Sequence, residues 1–241
     1  MADRLPRLYA AQIPEAGHEV SLAAPEVRHA RVLRLRQGAR IVLFDAEGVQ
    51  AESFVNEVSS STLRCLVHTR SSCPKPNQRL TLLVGMTKGD KPDLVVRMAT
   101  ELGVSALRFV TCKRSVVVDH GRSDRFDRLR HIAREACAQS GNAYAPLIVE
   151  PKPLLQVAAE APEHAARLVF WERAHLPMPA LEQQVSDVWA IVGPEGGLDT
   201  QEVEHLSSLG YVSVALGTPI LRAETAAIAI AARITERFGP F

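Results

Sequence analysis

Arg222, Glu224 and Thr225 stand together at the mouth of an otherwise apolar C-terminal helical segment, in Leu216-Gly217-Thr218-Pro219-Ile220-Leu221-Arg222-Ala223-Glu224-Thr225-Ala226. A carboxylate in a first helical turn is favoured by the helix dipole, which accounts for Glu224; a cation just ahead of a helix N-terminus is repelled by it, and Arg222 is such a cation. A residue that breaks a local rule marks a place where function is expected. An arginine so placed can stabilise negative charge that develops on a substrate, and a carboxylate nearby can accept a proton or orient the arginine. Upstream, Ile191-Val192-Gly193-Pro194-Glu195-Gly196-Gly197-Leu198 offers a second carboxylate, Glu195, within a Gly/Pro loop. Residue types alone do not decide between Glu195 and Glu224 as proton acceptor.

Both segments are apolar runs that stop at a Gly/Pro loop and then enter a helix. Such loops lie at the carboxyl ends of strands, where open α/β sheets bind ligands. Their plainest reading is a tight strand-to-helix turn. Neither contains G-x-G-x-x-G or G-x-x-x-x-G-K-[ST], which disfavours a dinucleotide or a nucleoside triphosphate. They present backbone N–H and C=O groups without cationic side chains. That suits a ligand with an adenosine and an amino acid but no phosphate, a description that S-adenosylmethionine fits.

Stepping outward from these loops, residues 79–241 read as alternating strands and helices of a mostly parallel sheet covered on both faces. Strands are expected at Leu80-Thr81-Leu82-Leu83-Val84-Gly85, Ala106-Leu107-Arg108-Phe109-Val110, Leu147-Ile148-Val149, Leu168-Val169-Phe170-Trp171, Val188-Trp189-Ala190-Ile191-Val192 and Val212-Ser213-Val214-Ala215-Leu216. A helix over 90–102, with Leu94, Met98 and Leu102 on its apolar face, stops at Gly103. Another starts at Ser123, carries Phe126, Leu129, Ile132, Ala133 and Ala136 inward, and ends at Gly141. Asp199-Thr200-Gln201-Glu202 is a capping box with aspartate as the cap. Residues 1–72 instead read as short strands around one helix at 24–33, the pattern of a small β-barrel. Ser71-Ser72-Cys73-Pro74-Lys75-Pro76-Asn77 has linker composition. The division is therefore 1–72, a linker at 73–79, and 80–241.

An apolar fraction of 46% with 23% charged residues is that of a globular chain, and no run reaches the length of a membrane span. Met1-Ala2-Asp3-Arg4-Leu5-Pro6-Arg7 lacks the apolar core of a signal peptide, and Cys65, Cys73, Cys112 and Cys137 form no C-x-x-C pair. A cytoplasmic protein with reduced thiols and no metal is expected. The net charge of +1 gives no overall pull towards nucleic acid, but its distribution does: Arg28, His29, Arg31, Arg34, Arg36 and Arg40 fall within residues 28–40, which contain no acid. This is a local basic patch, suited to phosphate contact as well as to simple solvation. Lys88, Lys91, Lys113 and Arg114 extend the candidate track into the second region.

The two C-terminal loops resemble the cofactor site of the SPOUT methyltransferases, and more narrowly the family that methylates N3 of a uridine in bacterial 16S ribosomal RNA. The likeness extends to Thr87-Lys88-Gly89-Asp90-Lys91, Ala99-Thr100-Glu101-Leu102-Gly103-Val104, Lys113-Arg114-Ser115-Val116 and Glu135-Ala136-Cys137-Ala138-Gln139-Ser140-Gly141. His29-Ala30-Arg31-Val32-Leu33-Arg34-Leu35 matches the family's H-x-x-x-L-R core. The resemblance implies an α/β fold in which an N-terminal PUA-like barrel that binds RNA precedes a SPOUT domain with a C-terminal trefoil knot. It implies S-adenosylmethionine held at Phe170 and Glu172, at Gly193, Pro194, Glu195, Gly196 and Gly197, and at Leu216, Gly217, Ile220, Leu221 and Thr225. It implies uridine 1498 of the small ribosomal subunit as the target, and a homodimer with the last helix at its interface. Arg222 would then stabilise the uridine anion. One departure is Asn142, where the family often has arginine; Arg114 is the nearest substitute. Two alternatives share many of these features: a SPOUT enzyme acting on a ribose 2′-OH, and a non-catalytic RNA-binding protein.

Overall fold

The computed structural model describes residues 5–115, 123–181, 185–217 and 219–238. Val116 and Thr218, two positions in the motifs above, lie outside them. The chain divides into two compact units, one formed by residues up to 75 together with 134–145, the other by 76–133 together with 146 onward.

The first unit is built on a five-stranded sheet in the order β1-β3-β4-β5-β2, with β1 (Arg7–Tyr9), β2 (Glu19–Ser21), β3 (Arg40–Phe44), β4 (Val49–Val58) and β5 (Leu63–Ser72). The two three-residue strands, β1 and β2, are too short to show a period in the sequence. Only β1 and β3 pair in parallel. Leu8, Ile41, Leu43, Leu63 and Cys65 are fully buried in its core. Residues 134–145 join this unit because Cys137 packs with Phe44 and Ala46, and the Tyr144 hydroxyl donates to the Cys73 carbonyl at 2.7 Å.

Helix α1 (Ala24–Val32) has proline in its first turn and buries Val27 and Ala30. Its end is unusual. The Leu35 N–H donates to the Ala30 carbonyl at 2.9 Å, and the chain reverses at Arg34 with φ +54°. Glycine usually occupies this left-handed position, and an L side chain there costs about 1 kcal/mol.

The second unit is a six-stranded, wholly parallel sheet in the order β11-β9-β10-β6-β7-β8. Its strands are β6 (Arg79–Gly85), β7 (Ala106–Thr111), β8 (Leu147–Pro153), β9 (Ala166–Phe170), β10 (Asp187–Val192) and β11 (Val212–Val214). All six residues of β10 are buried, as expected of a central strand covered on both faces. Side chains alternate across the sheet. Leu83, Val169, Trp189 and Ile191 face α4 (Leu154–Ala158) and α5 (Thr200–Ser208), in a cluster with Leu154, Val157, Val203 and Leu206. On the opposite face, α2 (Lys91–Glu101) and α6 (Ala223–Thr235) pack on each other, and α6 lies against β6 and β10.

Three local readings meet the structure differently. α3 (Ser123–Ser140) buries Phe126, Leu129, Ile132, Ala133 and Ala136 as its periodicity predicts. Asp199 caps α5 and Glu202 completes the capping box. In α2, however, the buried residues are Pro92, Val95, Val96, Ala99 and Thr100, while Leu94 is 40% exposed. The longer Leu94/Met98/Leu102 stripe loses because α2 approaches the alanine-rich α6 closely, and small or β-branched side chains fit there. Among the described residues, no helix is long and apolar enough to cross a membrane.

Candidate cofactor and RNA site

All six strands of the second unit run the same way, so the loops that follow them gather at one edge. Val192 pairs in register with Val84 and with Phe170, and Phe170 pairs with Val214. The loops after β6, β9, β10 and β11 therefore start at the same level. The adjacent strands β6 and β10 send their helices, α2 and α5, to opposite faces of the sheet. The carboxyl ends of these two strands are therefore the usual ligand position in open α/β sheets.

The loops are packed tightly on one another. A Cβ on Gly85 would come within 2.3 Å of the Pro194 nitrogen, so only glycine lets the β6 end pass the 193–197 loop. A Cβ on Gly196 would meet the Arg114 carbonyl oxygen at 2.9 Å and Arg114 Cβ at 3.1 Å. Gly196 therefore faces the loop after β7. Gly197 has φ +69°, and a side chain there would meet a Glu172 carboxylate oxygen at 2.8 Å. Phe170 is buried at the end of β9, and Glu172 is exposed just beyond it.

Glu195 accepts hydrogen bonds from Lys91 Nζ at 2.8 Å and from the Lys88 N–H at 3.2 Å. Partial burial pushes its carboxyl upward in pKa, but the bonds from Lys91, its own backbone and Lys88 outweigh this and hold it below the usual glutamate range. Lys91 is correspondingly held above the usual lysine range, first by its bond to Glu195; it also feels the charges of Glu224 and Arg222. The four charged groups thus form one electrostatic cluster at the mouth of α6. Arg222 is the exposed N-cap residue of α6, with no side-chain capping bond. Glu224 is 9% exposed, and its Oε2 has no hydrogen-bond partner among the described residues. A buried carboxylate oxygen left without a donor needs a reason. Thr225, Gly217, Ile220 and Leu221 are exposed, Ile220 to 82%. Leu216 is half-buried, and Arg233 from the far end of α6 donates to its carbonyl at 3.0 Å.

The candidate RNA-contacting cations differ in their circumstances. Lys113 Nζ lies 3.2 Å from an Asp199 oxygen, and Arg114 lies 3.3 Å from the other. The Lys113 N–H also donates to buried Glu202 at 2.8 Å. With Lys91 paired to Glu195, only Lys88 of this group carries no ion pair among the described residues. In the first unit, Arg28, Arg31, Arg34 and Arg36 are exposed and make no ion pair among the described residues, while His29 is 3.9 Å from Glu26. The Asn142 carbonyl accepts from Arg7 at 3.3 Å.

Two supports left no mark in the sequence. Arg125 donates to the Thr87 and Gly89 carbonyls at 3.5 and 3.3 Å, bracing the turn that carries Lys88. Arg233 braces the loop after β11. Neither belongs to a motif, and only the packing of distant elements brings them there. Among the described residues, no group of three or more His, Cys, Asp or Glu side chains could hold a metal ion.

A wholly parallel sheet with Gly/Pro loops and a charged cluster beyond its carboxyl edge defines an α/β protein with a candidate ligand site at that edge. The chain belongs to the RNA methyltransferase family, whose domain model matches residues 74–235. It is 31% identical over 227 residues to the ribosomal RNA small subunit methyltransferase E of Mycobacterium tuberculosis, covering 91% of this chain and 87% of that one. It is 30% identical over 230 residues to the enzyme of the same name from Bacillus subtilis, covering 89% and 88%. The crystal structure of a ribosomal RNA small subunit methyltransferase E from Neisseria gonorrhoeae, bound to S-adenosyl methionine, superposes with a TM-score of 0.89 at 26% identity, over 97% of this chain and 98% of that one. A putative methyltransferase from Legionella pneumophila in complex with the same cofactor gives a TM-score of 0.89 at 25% identity, again over 97% and 98%.

Proposed function

We propose that this protein transfers the methyl group of S-adenosylmethionine to N3 of a uridine in 16S ribosomal RNA of the small subunit, at the position equivalent to uridine 1498. The observation that carries this reading lies at the start of α6: among the described residues, exposed Arg222 makes no ion pair and the Oε2 of buried Glu224, two positions on, has no hydrogen-bond partner. The residues fit the cofactor. The loops at 193–197 and 216–221 offer backbone groups without cations. Exposed Ile220 and Leu221 offer apolar surface for an adenine ring, and Glu172, Glu195 and Glu224 supply negative charge for a sulfonium and an ammonium.

When bound, S-adenosylmethionine supplies an activated methyl electrophile. The chain's task lies with the nucleophile, because uridine N3 carries a proton and reacts poorly until that proton leaves. Arg222 stabilises the charge that then spreads onto the uracil oxygens. Glu224 accepts the proton from N3 or holds Arg222 in place. Glu195 is the weaker acceptor, because Lys91 and the Lys88 N–H already occupy its Oε1. The loops at 193–197 and 216–221 would hold the methyl donor so that N3 could take its methyl group in line as the carbon–sulfur bond broke. The base must leave its stack to reach the site.

The same reading includes a PUA-like first unit whose arginines contact phosphate, a C-terminal trefoil knot, a homodimer with α6 at its interface, and action in the cytoplasm. The mixed sheet of the first unit supports the PUA-like assignment. The test is mass spectrometry of small-subunit RNA from cells lacking the gene. Loss of one base-methylated uridine is expected. An unchanged spectrum, or loss of a ribose methyl group instead, overturns the assignment.

A further inference from the structure

We infer that the tip at the end of α1, formed by Val32, Leu33 and Arg34, is a wedge that contacts RNA bases, and that Arg34 is kept in a strained backbone conformation for this purpose. This rests on the reading of RNA as the substrate. Val32 is 80% exposed and Leu33 is 40% exposed, side by side at a helix end. Arg34 follows with φ +54°. The turn closes through Leu35, whose N–H reaches the Ala30 carbonyl and whose side chain packs on the core of the unit. Glycine would make the same turn without strain. The arginine is thus not explained by the fold.

Its surroundings are equally unexplained by the fold. Arg28, Arg31, Arg34 and Arg36 are exposed and have no carboxylate partner among the described residues, whereas Lys91, Lys113 and Arg114 each have one. Two apolar side chains amid four unneutralised cations match a polymer that combines phosphates with apolar flat faces. RNA has both, and unstacked bases are recognised by side chains that cover their faces while cations hold the backbone. The arginines take the phosphates; Val32 and Leu33 cover a base or wedge beside it.

The test uses the full-length protein, small-subunit RNA and a salt titration. R34G is expected to raise the thermal midpoint, because strain is relieved, and to weaken RNA binding with a salt slope lower by about one counterion. V32S/L33S is expected to weaken binding severalfold with the slope unchanged. Affinity for S-adenosylmethionine should be unchanged in both. Wild-type affinity in R34G or in V32S/L33S overturns the wedge alone. Losses for V32S/L33S on heparin, which has no bases, or on anionic vesicles that equal its loss on RNA also overturn it. Wild-type protein that binds no small-subunit RNA removes the wedge and the proposed substrate together.

Discussion

Lys91 Nζ lies 2.8 Å from the Glu195 carboxylate, joining the start of α2 to the loop after β10 beyond the carboxyl ends of β6 and β10. The same carboxylate oxygen receives the Lys88 N–H, so one side chain of the 193–197 loop holds two points of the neighbouring turn. Both partners are about one-third exposed, so solvent screens the ion pair and it adds little to overall stability. Its effect is positional.

Glu195→Gln and Lys91→Met should each raise the KM for the methyl donor severalfold while kcat changes less. The double variant should lose little more than either single one, since the two groups act as a pair. Glu195 titrates below the usual glutamate range, so the latch is intact above that range and is lost as pH falls through the lowered value. Strictly additive single losses would show that the two residues act separately.

Arg222→Ala should leave fold and cofactor affinity intact, because the side chain is exposed and caps nothing. Single-turnover rates should fall by about 10²–10³, the usual loss for one electrostatic donor. Raising the pH should recover part of the rate, since more uridine is then deprotonated without help. A defect explained wholly by weaker RNA binding would assign Arg222 to positioning.

Gly196→Val should weaken cofactor binding by moving the loop, since the added Cβ points at the Arg114 backbone. Overpacking of this kind costs about 1–3 kcal/mol, readable in thermal denaturation. Gly196→Ala combined with Arg114→Ala should be no better than Gly196→Ala, because the nearest clash is with a carbonyl oxygen that the second change leaves in place. Calorimetry showing full rescue in the double variant would place the conflict in the arginine side chain beyond Cβ instead.

Asp187 opens β10 at the opposite edge of the sheet and accepts from Arg79 at 2.9 Å, His164 at 3.0 Å and Ser186 at 3.1 Å. Burial raises its pKa, but these three donors together hold it below the usual aspartate range. Its contribution to stability is therefore present above that range and disappears as pH falls through the lowered value. Asp187→Asn should reduce stability by about 1–3 kcal/mol at neutral pH and flatten the acid limb of the stability curve, with cofactor affinity unchanged. An acid limb identical to wild type would assign acid unfolding to other carboxylates.

The features legible in the sequence are those carried by neighbouring residues. The apolar runs of β6, β7 and β10 announce buried parallel strands. The stripe from Phe126 to Ala136 announces α3, and Asp199 with Glu202 announces the cap of α5. The Gly/Pro loops and the misplaced cation Arg222 point to the family, and to a candidate site, since an unusual local pattern survives without knowledge of the fold. What the tertiary structure decides is which distant groups meet. Lys91 reaches Glu195 across 104 positions, and the Lys113 N–H reaches Glu202 across 89. Both follow from strand order, which places β10 beside β6 and brings every strand's carboxyl end to one edge. Counting charges marks Lys91, Lys113 and Arg114 as free cations; only the fold supplies their carboxylates. It also turns α2 onto Val95, Val96 and Ala99, and gives residues 134–145 to the first unit. Helix faces and unit boundaries depend on the neighbour that buries them, and a linear pattern does not contain that neighbour.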